Sequence, residues 1–276
     1  MLEPVGERGT PVEPRHRLRE RAAAAADRGD FSLVFHPLVS LSDGCILGAE
    51  ALLRWHDAEF GNVSPAELIP LAEEAGLIVR IGEWVLHQVC ATLRTWRTQH
   101  LHQFPVLVNM GGVQLCQTGG AEELLDILQQ HAVDPEEIEV EITETSLIDT
   151  SSVARRNLSL LRNSGVRLAL DDFGIGFSSL SHLRDLPIHR LKIDRSFTIE
   201  CMRDARTLTI VKGVIDMARS LGITVAAEGV ETQAQQHWMR HIGCDSAQGF
   251  LFCQPLSAEV FAERFLSSNR RSTLLV

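Results

Sequence analysis

The segment that decides the fold is VRLALDDFGIGFSSLSHLRDLPIHRLKID, residues 166–194. It holds two short apolar runs, VRLAL and HRL, on either side of a stretch that predicts a short helix over residues 178–184. Strands that are apolar on both faces and separated by helices are typical of a parallel sheet built from βαβ units. VRLAL is followed by Asp171 and Asp172, and HRL leads into Lys192. Parallel sheets bind their ligands at these carboxyl ends.

The same alternation of strand and helix extends through the chain. Further strand-like runs are FSLVFHPL (31–38), CILGAEALLRW (45–55), PVLVNM (105–110), EIEVEIT (137–143), ITVAAE (223–228) and DSAQ (245–248). Helices are predicted over residues 15–28, 65–74, 83–102, 121–131, 152–163, 205–221 and 232–241, and from 257 onward. Seven or eight such units in 276 residues favour one closed TIM-like barrel. Two small domains are the alternative, and periodicity alone does not decide closure.

The first residues of the chain and its composition lead to further expectations about domains, ligands and location. Residues 1–14, MLEPVGERGTPVEP, are expected to be a disordered segment or linker that precedes a single domain over 15–276. A net charge of −10 argues against binding a DNA or RNA polymer. The six cysteines form no C-x-x-C pair, which favours reduced thiols. With neither an apolar leader nor an 18-residue apolar run, we expect a cytoplasmic protein without membrane insertion.

Most of the apolar runs end in a residue with an ionisable or amide side chain. These residues are Glu50, Asn109, Glu141, Asp171, Asp172, Lys192, Glu228 and Gln248. At any one position, exposure of a strand end is the better explanation for a polar residue. As a set, however, carboxylates on neighbouring strand ends repel one another, and a fold tolerates them only if cations neutralise them. Oxygen ligands of this kind suit Mg²⁺, Mn²⁺ or Ca²⁺ better than zinc or copper.

The adjacent pair Asp171-Asp172 is the most specific local feature. Two neighbouring carboxylates can each reach a different metal ion, or one of them can bridge both ions. Two divalent cations about 3.5–4 Å apart are a common arrangement for in-line attack on a phosphodiester. Lys192 would then orient the attacking water or screen charge on the phosphate. The alternative for Lys192, a surface lysine, fits poorly with its place between Leu191 and Ile193.

Seven motifs, in order, resemble those of the EAL-domain cyclic di-GMP phosphodiesterases. They are GAEALLRW (48–55), VNM (108–110), EITE (141–144), LDDFGIGFSSL (170–180), LKIDRSF (191–197), AEGVET (227–232) and QGFLF (248–252). The resemblance covers the chain from about Arg17 to its end. It implies a TIM-like (β/α)8 barrel whose first strand is antiparallel to the others. It also implies hydrolysis of cyclic di-GMP to linear pGpG.

The resemblance implies roles for individual residues. By this resemblance, the expected metal ligands are Glu50, Asn109, Glu141, Asp171, Asp172 and Glu228, with Asp171 bridging two ions. The expected catalytic residues are Glu50, Lys192 and Glu228, and either Lys192 or Glu228 would be the general base. The expected substrate-binding residues are His36, Leu52, Arg54 and Gln248. Glu144 resembles the glutamate that fixes the loop after the aspartate pair. Two Mg²⁺ or Mn²⁺ ions are the expected cofactors, and Ca²⁺ is expected to inhibit because its looser coordination suits in-line chemistry poorly.

The chain departs from the family pattern at several positions. His36 stands where a glutamine is usual, and Ile175 and Phe177 replace a threonine and a tyrosine in the loop after the aspartate pair. These changes put substrate affinity and regulation in question rather than the chemistry. Members of the family commonly form homodimers, and residues 173–186 are the expected interface.

Three functions compete at this point. An active phosphodiesterase is favoured by the complete set of carboxylates. A catalytically weak cyclic di-GMP receptor that signals to a protein partner is the alternative suggested by the departures. A pure interaction protein is disfavoured, because crowded carboxylates would serve no purpose without metal.

Overall fold

A closed barrel of eight strands forms the centre of the computed structural model, which describes residues 12–99, 104–144, 146, 152–174 and 186–266. The strands are β1 (Ser32–Ser40), β2 (Ile46–Asp57), β3 (Gly61–Val63), β4 (Val106–Asn109), β5 (Ile138–Thr143), β6 (Arg167–Phe173), β7 (Arg190–Ile193), β8 (Thr224–Ala227) and β9 (Ser246–Ala247). Strand β1 pairs antiparallel with both β2 and β9 and so closes the ring. The remaining neighbours within the barrel are parallel, and β3 lies outside it as a hairpin with β2. The predicted TIM-like barrel with an antiparallel first strand is confirmed.

Helices cover the outside of the barrel. They are α1 (Val12–Arg28), α2 (Pro65–Glu74), α3 (Ile78–Thr98), α4 (Gly112–Leu115), α5 (Gly120–His131), α6 (Ser152–Asn163), α7 (Arg195–Glu200), α8 (Ala205–Ser220), α9 (Gln233–Ile242) and α10 (Ala258–Phe265). The large core between helices and barrel is built from the outward-facing strand residues, such as Val140 and Leu168, and from the inner helix faces. None of the described helices combines the length and hydrophobicity that a membrane crossing requires.

Most predicted elements are present, with some differences in detail. Helix α3 begins at Ile78, five residues before the predicted start, because Ile78 and Ile81 are buried in a core cluster ahead of Gly82. Helix α1 begins at Val12 rather than at residue 15. The short elements β3, α4 and α7 were not predicted, and the predicted helix over 178–184 lies outside the described residues.

Helix α1 anchors the outer end of strand β2. Its buried residues Leu18 and Ala22 belong to a second core cluster that also contains Trp55 of β2. The Arg21 guanidinium donates from Nε to both carboxylate oxygens of Asp57 at 2.6 Å. Strand β2 therefore extends past the barrel and is held there by α1 and β3.

Candidate active site

Lys192 is the centre of the candidate site. It lies on β7, its side chain has no exposed surface, and its Nζ points into the barrel. Four carboxylates from four other strands or strand ends surround it. The distances from Nζ are 2.7 Å to Glu228 Oε1, 2.8 Å to Glu141 Oε1, 3.3 Å to Asp171 Oδ1 and 3.6 Å to Glu50 Oε2. The predicted acidic residues therefore do converge on one pocket, and Lys192 is a cation built into it.

Glu50 is held in place by two amide side chains. Asn109 Nδ2 donates to Glu50 Oε1 at 3.0 Å, and Gln248 Nε2 donates to Glu50 Oε2 at 2.9 Å. The position of Glu50 corrects one expectation, because it lies in the middle of β2 rather than at the end of a strand. The reason is that β2 continues for seven residues beyond the level of the site, where it pairs with β1 and β3.

The backbone turns sharply at the aspartate pair. Adjacent residues of a regular strand point to opposite faces. Here Asp172 has φ +56°, and the β6–β7 register shifts between Leu170 and Phe173. As a result, oxygens of Asp171, Asp172 and Glu228 lie within 4.8 Å of one another. A left-handed conformation is uncommon for a residue other than glycine and is a local strain that is often found at functional sites.

The crowding of charge shifts the ionisation of the buried groups. Burial, together with the nearby Glu50 and Asp171 carboxylates, holds the pKa of Glu141 well above its usual value despite Lys192. Burial raises the pKa of Glu228 to about 8, although the Lys192 charge opposes the shift. Burial also raises the pKa of Asp172, and the neighbouring Asp171 and Asp194 add to the effect.

Lys192 and Glu50 shift toward their charged forms. Burial acts against the Lys192 ammonium, but the surrounding carboxylates outweigh it and hold its pKa well above the usual value. Burial likewise acts against the Glu50 carboxylate, and Lys192 with the amides of Asn109 and Gln248 holds its pKa below the usual value. One lysine is therefore shared among more carboxylates than it can neutralise.

The donor set fits divalent cations. Glu141 Oε2 is buried and accepts no hydrogen bond from the part of the chain that the structure describes. A buried oxygen without a donor is costly in a folded protein unless another partner satisfies it. The neighbouring donors are carboxylate and amide oxygens, the hard ligands that Mg²⁺ and Mn²⁺ prefer. The groups that would hold cations are Glu50, Asn109, Glu141, Asp171, Asp172 and Glu228.

The predicted substrate-binding residues lie around this pocket, and two of them, Arg54 and His36, contact backbone carbonyl oxygens. Leu52 and Arg54 follow Glu50 on β2 at alternate positions and are half-buried. Arg54 Nη1 donates to the carbonyl oxygen of Leu53 at 2.8 Å. His36 is buried, its Nε2 lies 3.0 Å from the carbonyl oxygen of Cys253, and burial lowers the pKa of its imidazole. A neutral His36 therefore donates to the backbone from Nε2.

The loop after the aspartate pair is described only up to Gly174. Glu144, which is buried just after β5, accepts a hydrogen bond from the Gly174 backbone N–H at 2.9 Å. This contact places Glu144 against the beginning of that loop. Ile175 and Phe177, and most of the expected dimer interface, lie outside the described residues.

One residue at the mouth of the barrel, Phe250, was not predicted as part of the site. Phe250 follows the strand end that carries Gln248, and 57% of it is exposed. Its ring centroid lies 6.1 Å from that of His36. A single aromatic residue in QGFLF gives no signal by itself, because buried and exposed phenylalanines look alike in a sequence. The exposed ring offers a flat apolar surface beside the acidic pocket.

The fold and the site together define a β/α barrel with an acidic pocket inside it, whose carboxylate and amide donors fit divalent cations. Comparison with known families makes this more specific. The family model described as "EAL domain" matches residues 19–255. The chain belongs to the EAL domain family.

Characterised relatives agree with this membership. A bifunctional diguanylate cyclase/cyclic di-GMP phosphodiesterase, MucR of Pseudomonas aeruginosa, is 37% identical over 244 residues, which are 88% of this chain and 35% of that protein. The oxygen sensor protein DosP of Escherichia coli is 38% identical over 248 residues, which are 90% of this chain and 31% of DosP. The chain thus spans about a third of the length of these curated relatives.

A solved structure shares the architecture. The structure described as "PaMucR Phosphodiesterase, c-di-GMP complex" matches with a TM-score of 0.83 and 36% identity, over 88% of this chain and 99% of that one.

Proposed function

We propose that this EAL domain hydrolyses cyclic di-GMP to linear pGpG with two divalent cations, Mg²⁺ or Mn²⁺. The observation that carries the proposal is the convergence of Glu50, Glu141, Asp171 and Glu228 on Lys192 inside a closed barrel. The similarity to MucR, whose phosphodiesterase has been solved with c-di-GMP, supports the choice of substrate.

The chain's own residues divide the work of the reaction. Divalent cations, when bound, would lower the pKa of the attacking water and stabilise negative charge on the phosphate. Glu228 is the group that we assign as proton acceptor, since its side chain is 20% exposed at the mouth of the pocket. Lys192 is enclosed by carboxylates and has no exposed surface, so we assign it the role of a fixed positive charge.

Substrate binding would involve the rim of the barrel. Arg54 would turn from the Leu53 carbonyl to a phosphate, because a hydrogen bond between two oppositely charged groups is stronger than its present bond to a neutral oxygen. The exposed face of Phe250 would stack on a guanine base. Glu144 would keep the Gly174 backbone in place beside Asp172.

The test is a hydrolysis assay with product identification. Purified protein is incubated with cyclic di-GMP and Mg²⁺ or Mn²⁺, and pGpG is quantified by chromatography. We expect turnover with either cation and none with chelator. The Asp171→Ala variant should lose turnover while remaining folded, and Asp126→Ala, which changes an exposed aspartate on α5, should behave as wild type.

Two outcomes would refute the proposal. A folded wild-type protein without turnover in either metal excludes the phosphodiesterase activity. If calorimetry then showed tight binding of intact cyclic di-GMP, the protein would be a receptor. Retained turnover in Asp171→Ala would exclude a metal-binding role for that residue.

A further inference from the structure

A second group of charged residues lies inside the barrel, below the candidate site. Arg190 and Glu139 are buried and face each other across the barrel interior. Arg190 Nε donates to Glu139 Oε1 at 2.6 Å, and Nη2 donates to Glu139 Oε2 at 3.2 Å. The third nitrogen, Nη1, donates to Ser246 Oγ at 3.3 Å. All three nitrogens of the guanidinium are therefore used, and the mechanism proposed above uses none of these residues.

Each of these residues lies two positions before a residue of the candidate site. Side chains two positions apart on a strand point to the same face, about 6.6 Å apart along the strand. Glu139 lies two positions before Glu141, Arg190 two before Lys192 and Ser246 two before Gln248. The lower group, Glu139–Arg190–Ser246, is thus carried by β5 and β7, the strands of Glu141 and Lys192, and by β9, which Gln248 directly follows.

The strands that the lower group joins are not neighbours. Strand β6 separates β5 from β7, and β8 separates β7 from β9. Backbone hydrogen bonds therefore do not connect β5, β7 and β9 directly. Strands β1, β4 and β8 contribute a separate small apolar cluster, formed by Leu38, Leu107 and Ala226. That cluster is apolar and small, so it specifies position less sharply than a bidentate ion pair does.

We infer that the Glu139–Arg190–Ser246 group positions the site above it, by fixing the distance across the barrel between the strand that carries Glu141 and the strand that carries Lys192. The inference rests on the proposed function for its chemistry. Its geometric basis is the planar Arg190 fork, which bonds to both oxygens of Glu139 and thereby restrains distance and orientation together. The Lys192–Glu141 contact of 2.8 Å lies one pleat higher on the same two strands.

The ion pair need not be explained by stability. A buried ion pair is often replaceable by apolar residues of similar volume without loss of stability, whereas removal of one partner is strongly destabilising. Positioning and stabilisation therefore make different predictions for the double variant Glu139→Leu/Arg190→Met. If the pair only stabilises the fold, the double variant should have a lower melting temperature. If the pair positions the site, the double variant should lose Mn²⁺ affinity and turnover at an unchanged melting temperature.

The experiment measures melting temperature, Mn²⁺ affinity by calorimetry and turnover of cyclic di-GMP. Residues that support metal ligands typically change affinity or activity by about 10–100-fold when altered. We expect the double variant to melt near the wild-type temperature but to bind Mn²⁺ at least tenfold more weakly, with kcat reduced by a similar factor. Arg190→Lys keeps the charge and loses the fork, so it should show the same loss of Mn²⁺ affinity. Arg97→Lys alters an ion pair with Glu137, outside the barrel interior, and serves as the matched control.

The outcomes separate the two proposals. Wild-type Mn²⁺ affinity and turnover in a folded double variant or in Arg190→Lys would overturn the positioning inference. The inference would also be overturned if both variants had a lower melting temperature but kept wild-type Mn²⁺ affinity and turnover. If the wild-type protein binds Mn²⁺ without hydrolysing cyclic di-GMP, the proposed reaction fails, and Mn²⁺ affinity still decides the positioning inference.

Discussion

Replacement of Lys192 by methionine tests the electrostatic basis of the site most directly. Methionine fills a similar volume and removes the positive charge, so the carboxylates of Glu50, Glu141, Asp171 and Glu228 lose the cation that they share. Their nearest oxygens lie 2.7–3.6 Å from Nζ. The chain offers a matched control in Lys212, its other lysine, which is exposed on α8.

The expected loss of stability in Lys192→Met follows from the burial of Lys192 and its partners. Removal of one partner from a buried ion pair costs about 3–5 kcal/mol. Protonation offsets part of this cost near pH 7, because burial already raises the pKa of Glu141 and Glu228. We therefore expect the lower end, about 3 kcal/mol, for the metal-free protein. In a chain of this size that corresponds to a fall of roughly 6–12 °C in melting temperature.

In Lys192→Met, stabilisation by Mn²⁺ should be retained or increased, whereas turnover should fall. The carboxylates of Lys192→Met lack an internal cation, so Mn²⁺ should raise its melting temperature by at least as much as that of wild type. Turnover of cyclic di-GMP should fall by about 10²–10³-fold, the usual cost of losing a charge that stabilises the transition state. Calorimetric melting with and without Mn²⁺, together with the hydrolysis assay, measures all three quantities. The assigned role of Lys192 is excluded if metal-free Lys192→Met has the same melting temperature as Lys212→Met and hydrolyses cyclic di-GMP within tenfold of the wild-type rate.

Three further predictions concern other parts of the molecule. Ca²⁺ alone should not support turnover and should inhibit the Mg²⁺ enzyme competitively, and full activity in Ca²⁺ would contradict the proposed chemistry. Phe250→Ala should raise KM for cyclic di-GMP about tenfold with little change in kcat, since base stacking is worth about 1–3 kcal/mol; an unchanged KM would exclude stacking. His87 Nδ1 lies 2.9 Å from His131 Nε2 between α3 and α5, and burial, then His87 and Arg94, lower the pKa of His131. The unfolded chain then binds the proton more readily than the folded protein does, so the free energy of unfolding should fall as pH drops below about 6.5. Denaturant titrations between pH 7 and 5 should show a smaller fall for His131→Gln than for the wild-type protein.

The barrel could be predicted because its strands are apolar on both faces and its helices have caps that are visible in the sequence. Thr232 begins α9 in this way, with its side chain accepting from the Gln235 backbone N–H. The local rule fails at Ser64, a residue type that favours helix starts, which directly precedes α2 but makes no capping hydrogen bond with its side chain. Closure itself depends on β1, which pairs with its neighbour in sequence, β2, also pairing with β9, a long-range contact that no local pattern encodes.

The site could be predicted in composition but not in arrangement. The carboxylates were visible because each interrupts an apolar run, and their order matched a family pattern. The left-handed turn at Asp172 was not visible, because positive φ is uncommon for any residue other than glycine, although aspartate adopts it more often than most. The bonds from Arg54 to Leu53 and from His36 to Cys253 were not visible either, because side chains choose among competing acceptors only in three dimensions. Glu139 and Arg190 looked like ordinary strand residues, and only the barrel shows that they meet.

The charges of the site argue for two cations rather than one. Glu50, Glu141, Asp171, Asp172 and Glu228 carry a formal charge of −5 when ionised, and Lys192 contributes +1, which leaves −4 in a largely buried pocket. One divalent cation would leave a charge of −2, which burial disfavours unless protons bind as well. Two divalent cations balance the pocket without protons and leave Glu228 ionised and able to accept one. Since a proton acceptor must be unprotonated to act, a second cation would support the proposed role of Glu228 by balancing the pocket without added protons.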